Sequence, residues 1–505
     1  MFGFSSRRVH SFINKLIKQK TIGFNLSGNR KVSDKIKIVK QWKEIPGPSS
    51  MPVLGQMRHF LPQGELHNLQ GHVLLNTLYK KYGDIVRIEA MFGKPPFLFL
   101  FEPKSIAEII RGEDWYPRRP ILPTLEYYRT EHKQQKDRQI GLMADHGEGW
   151  RQFRSIVNPV LLQSKIIKLY ETVINNIAEE MIQRLKSKID ENNMIKDDLF
   201  FEFNLWALES TGFVALGCRL NCLDPNLPPE SPAYQLVQCA DDLFTKFDSL
   251  NSGINLWRYF PTKLFREAMV TFETQERLSK VFIEKAIRQS SQTRKDNEKG
   301  ILEKLLEVDE EVAHVMAVDM LIAGVDTVAN TILAGLYLLA VNPEKQARLR
   351  EEIKTGNNGK KYLKACIKET LRMKPIVTSI MRQINKDYIL LGYNIPKDTV
   401  VIFGHHVLSM SDEQFPRAQE FLPERWIVEK GHPLHHGQAD PLVYNPFGFG
   451  ARSCIGKRIA ELEMESLMTK LMTNFKIEWF GPPIQHEHNF LYKVAPPFNF
   501  KFIRI

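Results

Sequence analysis

Residues Phe447–Gly456 read FGFGARSCIG and set one of the chain's five cysteines between glycines, beside an arginine and behind an aromatic ring. Gly450 and Gly456 lack Cβ, which lets the backbone approach a flat ligand closely and enter φ > 0. Arg452, two residues before Cys454, supplies a fixed positive charge that favours thiolate over thiol. The stretch that follows, KRIAELEMESLMTKLMTNF (457–475), has a helical period. A helix N-terminus with free N–H groups would then face the sulfur. A thiolate in that setting suits haem iron, to which it donates electron density; a buried cysteine in a glycine turn is the plainer alternative. The other cysteines, at 218, 222, 239 and 366, make an odd and sparse set that argues against a disulfide framework. Cys218 and Cys222 have the spacing of a metal pair, but no second Cys/His pair sits at zinc-finger distance, so core or surface thiols are the simpler reading.

Hydrophobic residues make up 43% of the 505 and charged ones 25%, the balance of an ordinary globular protein. The net charge of +11 invites a nucleic-acid reading until it is divided. Residues 1–40 hold ten Lys/Arg against one acid, so nearly all the excess lies there and the body is close to neutral. Nucleic-acid binding is therefore not expected. The leader also mixes serine with apolar Phe12, Ile13, Leu16 and Ile17 between its bases, the composition of a mitochondrial transit peptide. It has no apolar run near the roughly 18–20 residues of a membrane span. A basic tail without fixed structure is the alternative.

IPGPSSMPVLG (45–55), with Pro46 and Pro48, marks a stiff entry into the folded body. The pattern between about 75 and 105 predicts a hairpin of buried strands. Amphipathic helices are expected at 166–189 and 263–289. Residues 313–341 are apolar on nearly every face and predict one long helix through the core, too polar at its middle (Asp319, Asp326, Thr327, Asn330) for a membrane span. A lysine-rich helix at 360–373, short strands around 384–404 and the helix after Cys454 complete a mainly α protein with a minor β-sheet subdomain, one interlocked domain over 41–505.

The Cys454 loop resembles the haem signature FxxGxRxCxG of the cytochrome P-450 superfamily at Phe447, Gly450, Arg452, Cys454 and Gly456. KETLR carries that family's ExxR as Glu369 and Arg372, three apart and so on one helix face. FLPERW adds Arg425, and AGVDT (323–327) adds Asp326 and Thr327. The resemblance runs from PGP to the C-terminus and implies the cytochrome P-450 fold. It further implies haem b (iron protoporphyrin IX), with Cys454 as the axial iron ligand and Glu369, Arg372 and Arg425 as a buried scaffold beneath it. Asp326 and Thr327 would deliver protons, although many members carry a second hydroxyl where this chain has Val328. Haem has two propionates that need cations; WRQFR resembles the family's WxxxR, so Trp150 and Arg154, with Arg382 and Arg452, are the implied contacts.

The closest likeness is to the animal mitochondrial branch, through KRIAELEM and YLKACIKETLR. There, lysines corresponding to Lys364 and Lys368 receive an acidic iron–sulfur ferredoxin, itself reduced by an NADPH-dependent ferredoxin reductase. A solvated helix face is the alternative for this pair. The connection EEIKTGNNGKKYLKAC is shorter than that branch's pattern. The implied reaction inserts one oxygen atom of O2 into a lipophilic small molecule, a steroid, sterol or xenobiotic. Leu321, Ala323, Val377, Thr378 and Ser379 are the implied pocket residues. NSGINLWRYFPTK (251–263) suits shallow insertion at a membrane surface, or packing as a buried loop. The implied location is peripheral, on the matrix side of the mitochondrial inner membrane. An isomerase or dehydratase needing no external electrons, or a haem sensor without enzymatic activity, would use the same fold.

Overall fold

The computed structural model describes residues 39–505 apart from 52–54, 90–94, 134–138, 196, 253–255, 291–298 and 489–490. The predicted leader lies outside the described residues but for its last two positions. Residues 40–505 form one compact unit.

Helix α1 (Gly71–Tyr82) leads into a hairpin of β1 (Ile85–Ile88) and β2 (Phe97–Leu100). The helices α2 (Pro103–Arg111), α3 (Pro123–Tyr127), α4 (Gly147–Leu161), α5 (Ser164–Lys188) and α6 (Leu199–Leu216) follow. Then come α7 (Pro232–Ser252), α8 (Lys263–Ser290), α9 (Ile301–Leu306), α10 (Glu310–Ala323), α11 (Val325–Ala340), α12 (Pro343–Thr355) and α13 (Lys361–Met373). Short strands β3 (Ile380–Gln383), β4 (Tyr388–Leu390), β5 (Tyr393–Ile395) and β6 (Val400–Phe403) precede α14 (His405–Ser409). The chain closes with α15 (Lys457–Asn474), β7 (Phe475–Trp479), β8 (Gln485–His488), β9 (Tyr492–Ala495) and β10 (Phe500–Arg504).

The predicted hairpin is present, with Ile85 opposite Leu100, and β2 continues into a four-stranded sheet of order β1-β2-β6-β3. Three further pairs, β4 with β5, β7 with β10 and β8 with β9, are two-stranded ribbons. Side-chain caps start two of the core helices. Asp198 caps α6 by accepting from the N–H of Phe200 and Phe201, and Asp309 caps α10 by accepting from Val312 N at 2.9 Å. Gly217 ends α6 in the left-handed region at φ 72°.

The long core helix expected at 313–341 is two helices, α10 and α11, broken at Gly324. The break has a steric setting: a Cβ on Gly324 would lie 2.5 Å from Thr211 Cγ2 of α6. The pair is long and apolar enough to cross a membrane, yet it is mostly buried inside the fold and packs against α6. Residues of α5, α6, α10, α11 and α15 form the largest apolar cluster. Cys218, Cys222 and Cys366 belong to it, and Cys239 is buried beside α8.

Candidate active site

The Cys454 loop is a tight coil closed by its own backbone: Cys454 N donates to Phe447 O at 2.8 Å and Ser453 N to Gly450 O at 3.1 Å. Gly448 and Gly450 are left-handed, at φ 73° and 65°. Gly456 is not, at φ −82°, so the second conformationally demanding glycine is Gly448, which the signature does not include. Helix α15 begins at Lys457, and the N–H groups of Gly456 and Lys457 bear on the sulfur as expected. Arg452 does not. Its guanidinium turns away to the carbonyls of Pro117, Leu142 and Asp145 and lies 3.9 Å over the Trp150 ring. The cations that draw the thiol toward ionisation are Arg154 and Arg119. Burial outweighs them and holds Cys454 above a thiol's ordinary value, so at neutral pH the free sulfur is protonated and a metal would displace that proton.

Cys454 is desolvated and yet accessible. Those two properties coexist where a side chain lines an internal space. The core helices point the same way. Ala323 at the end of α10 is exposed and Thr327 in the first turn of α11 is half-buried, although their neighbours Ile322, Val325, Asp326 and Val328 are buried. Four residues apart, Ala323 and Thr327 share one face. Arg119 is also partly accessible, with its pKa lowered to about 10 chiefly by burial.

Four guanidiniums, from Arg119, Arg154, Arg382 and Arg452, act electrostatically on one another, and the first two also act on the Cys454 sulfur. The carboxylates that act on them are Glu113 and Asp145. Arg382 Nε donates to Glu113 Oε1 at 2.6 Å, and Arg382 Nη2 to Phe449 O. Arg154 Nη2 donates to Ser453 O at 3.1 Å, while the Nε atoms of Arg154 and Arg119 are buried without a partner. Four cations facing two carboxylates, with two orphaned donors, fit a ligand carrying two further carboxylates, as haem does. Trp150 is buried as the platform under Arg452. Arg119 and Glu113 were not predicted. The available signal for Arg119 was YPRRP (116–120), adjacent arginines stiffened by flanking prolines.

Asp326 and Thr327 are adjacent on α11 but engage different partners. Thr327 Oγ1 donates to Ala323 O at 2.8 Å, which leaves the hydroxyl oxygen free to accept from the internal space. Asp326 is fully buried; its Oδ2 accepts from Lys493 Nζ at 2.5 Å and its Oδ1 has no donor. Burial raises its pKa, against the pull of Lys493. The structure brings Glu369, Arg372 and Arg425 together: Glu369 Oε1 accepts from Arg372 Nη2 at 2.8 Å and from Arg425 Nε at 2.9 Å, all three fully buried.

Among the implied pocket residues, Ala323, Val377 and Ser379 keep exposed surface, and Thr378 is nearly buried. Leu321 is fully buried in the helical cluster and does not line the space, because it projects from α10 on a side covered by other helices. Lys364 and Lys368 share an exposed face of α13; Lys364 lies 3.8 Å from Glu465, and Lys368 lies over the Trp426 ring. The short connection before them holds a 3-10 turn at Asn357–Lys360. In the 251–263 segment, Leu256, Tyr259 and Phe260 are exposed, but Trp257 is buried and stacks on Phe265 at 5.1 Å.

Comparison with known proteins gives these features a common context. The family model described as Cytochrome P450 matches residues 45–502. Cytochrome P450 CYP12A2 of Musca domestica is 34% identical over 495 residues, covering 92% of each chain. Probable cytochrome P450 12b2, mitochondrial, of Drosophila melanogaster is 34% identical over 491 residues, covering 93% of this chain and 91% of its own. Probable cytochrome P450 301a1, mitochondrial, of the same fly is 31% identical over 483 residues, covering 92% and 87%.

Proposed function

Because the chain belongs to the cytochrome P450 family and is therefore a haem-thiolate monooxygenase, we propose that it hydroxylates a lipophilic small molecule in mitochondria, using electrons from an acidic iron–sulfur ferredoxin. The observation that carries this reading is the accessible sulfur of Cys454, set deep in the fold among guanidiniums that lack a full complement of counter-charge.

Haem b, when bound, supplies the activation of O2 and its insertion into a C–H bond. Cys454 ligates its iron. Arg119, Arg154, Arg382 and Arg452 hold its propionates, with Trp150 as a platform and Gly448 and Gly450 giving the loop its turn. Phe447 and Gly456 flank the ligand, the first through its carbonyl and the second through its N–H. Glu369, Arg372 and Arg425 fix the helix and loop beneath. In the first turn of α11 Thr327 accepts and passes on protons, and Asp326 supplies them. Ala323, Val377 and Ser379 give the substrate a small, mostly apolar wall, which suits a steroid or sterol or a xenobiotic.

The first 40 residues act as the import signal, and residues 41–505 are the working domain. Relatives named as mitochondrial support that location. Lys364 and Lys368 receive the ferredoxin, whose own electrons come from NADPH through a ferredoxin reductase; charge complementarity makes that association fast and salt-sensitive. Exposed Leu256, Tyr259 and Phe260 rest on the matrix side of the inner membrane.

Reconstitution tests the proposal. With ferredoxin, reductase and NADPH, a lipophilic compound that shifts the haem spectrum is expected to be hydroxylated. Lys364→Glu with Lys368→Glu should raise KM for ferredoxin at least roughly ten-fold while leaving the substrate-induced shift intact. Cys454→Ser should lose the reduced-CO band of the thiolate-ligated haem. Turnover without any electron donor would instead establish an isomerase or dehydratase, and an unchanged CO band in Cys454→Ser would remove the ligand assignment.

A further inference from the structure

Asp326 is fully buried, so it cannot be the solvent end of a proton path. What it touches is Lys493, from β9, whose ammonium lies 2.5 Å from Asp326 Oδ2 and 2.7 Å from Asp241 Oδ1 of α7. Lys493 is itself buried, while the Asp241 side chain is 53% exposed. One buried cation thus spans from a carboxylate in the core to one at the surface. The rings of Phe200 and Phe244 lie 5.5 and 5.6 Å from the ammonium and close its sides. The strand is held in register by Val494 N, which donates to Asn330 Oδ1 at 2.9 Å, and Asn330 Nδ2 donates back to Asp326 O at 2.9 Å. The β8–β9 hairpin is therefore bonded to α11 both at the carboxylate and one turn beyond it.

We propose that Lys493 is the positioning residue of proton entry: it holds the Asp326 carboxylate in place and ties it to Asp241, so that protons enter at the seam between α7 and the β8–β9 hairpin. This rests on the reading of Asp326 and Thr327 as the proton-delivery pair. The charged groups that act on Asp326 are Lys493 from the hairpin and Asp241 from α7. Burial raises the Asp326 pKa, which favours the neutral acid, and Lys493 opposes it. On Lys493, burial works downward, but the two carboxylates outweigh it and hold the amine above its ordinary value. Lys493 therefore stays a fixed cation, and the group that changes charge is Asp326. The step is a proton transfer alone. A proton from bulk water is taken up at the seam, neutralises Asp326, and leaves it inward, returning the carboxylate to its pair with Lys493.

The test compares Lys493→Met, Lys493→Arg, Asp241→Asn and Asp326→Asn in the haem-loaded protein, with the reduced-CO band as a check that the haem site is intact. Infrared difference spectra at neutral pH should show a carboxylic acid C=O band in Lys493→Met that is missing in the parent, in Lys493→Arg and in the double variant with Asp326→Asn. Product formed per electron consumed should fall roughly ten-fold in Lys493→Met. That is below the 10²- to 10⁴-fold of a general acid or base, because Lys493 acts through Asp326. Lys493→Arg should restore most of it. If Lys493→Met does not load haem, Asp241→Asn decides: coupled turnover should fall more steeply with rising pH than in the parent. Asp326→Asn uncoupled with Lys493→Met coupled and without the acid band overturns the Lys493 role alone. Asp326→Asn fully coupled overturns the delivery pair, and with it this proposal. In Asp241→Asn, a pH profile superimposable on the parent's overturns the entry route.

Discussion

Two buried carboxylates on helices that pack together, Glu369 of α13 and Asp326 of α11, have opposite surroundings. Glu369 accepts from Arg372 Nε and Nη2, from Arg425 Nε, from Trp426 Nε1 and from Leu422 N, all between 2.8 and 3.2 Å. Asp326 accepts one side-chain bond and leaves an oxygen empty. A saturated network in a low-dielectric interior fixes geometry, because every change strands a charge. A half-filled one favours the charged form less, and at Asp326 burial raises the pKa against the pull of Lys493. Burial alone therefore does not distinguish a scaffold from a working acid; the count of partners does.

The largest effect should come from breaking the saturated side. Glu369→Ala leaves the guanidiniums of Arg372 and Arg425 buried without their carboxylate, a loss of about 3–5 kcal/mol for a broken buried pair. We expect little soluble, haem-loaded protein, read as haem per chain and as melting temperature. A Glu369→Ala protein that loads haem and melts like the parent would show that the network is dispensable and erase the contrast.

On the unsaturated wall the effect should be chemical and not structural. Thr327 already donates to Ala323 O, four residues back across the Gly324 break, so Thr327→Ala costs little packing. The expected outcome is a melting temperature close to the parent's, continued consumption of electrons, and product per electron reduced by roughly ten-fold or more. Tight coupling in Thr327→Ala would show that the hydroxyl does not carry the proton.

The same contrast explains what could be read from the chain. Glu369 and Arg372 are three residues apart, and the Cys454 loop spans ten, so helix periodicity and turn chemistry make them visible in sequence. Lys493 lies far along the chain from Asp326, and only the pairing of β8 with β9 over α11 brings it there. Arg452 shows the limit from the other side. Proximity in sequence suggests that it acts on Cys454, yet its side chain is claimed by the carbonyls of Pro117 and Asp145, and the sulfur instead feels Arg154 and Arg119. The helix break at Gly324 is likewise matched to Thr211, a contact between helices that no local pattern encodes.

A third buried carboxylate sharpens the comparison with the smallest effect. Glu463 of α15 is buried and accepts from Thr211 Oγ1 at 3.2 Å, and burial raises its pKa from 4.5 to about 8. It has neither the guanidiniums of Glu369 nor the ammonium of Asp326, so it remains a neutral acid at pH 7. An acid whose folded pKa is raised contributes stability that is fully present below its unfolded pKa and is lost as pH rises through the folded one. Between pH 4.5 and about 8 the parent should therefore lose stability that Glu463→Gln, neutral at every pH, keeps. Melting temperatures of the two proteins should be similar near pH 4.5 and should diverge as pH rises, with Glu463→Gln higher by on the order of a few degrees at pH 8. A gap that stays constant across this range would mean that Glu463 is ionised where it lies, and that an interior carboxylate in this fold needs no cation to hold its charge.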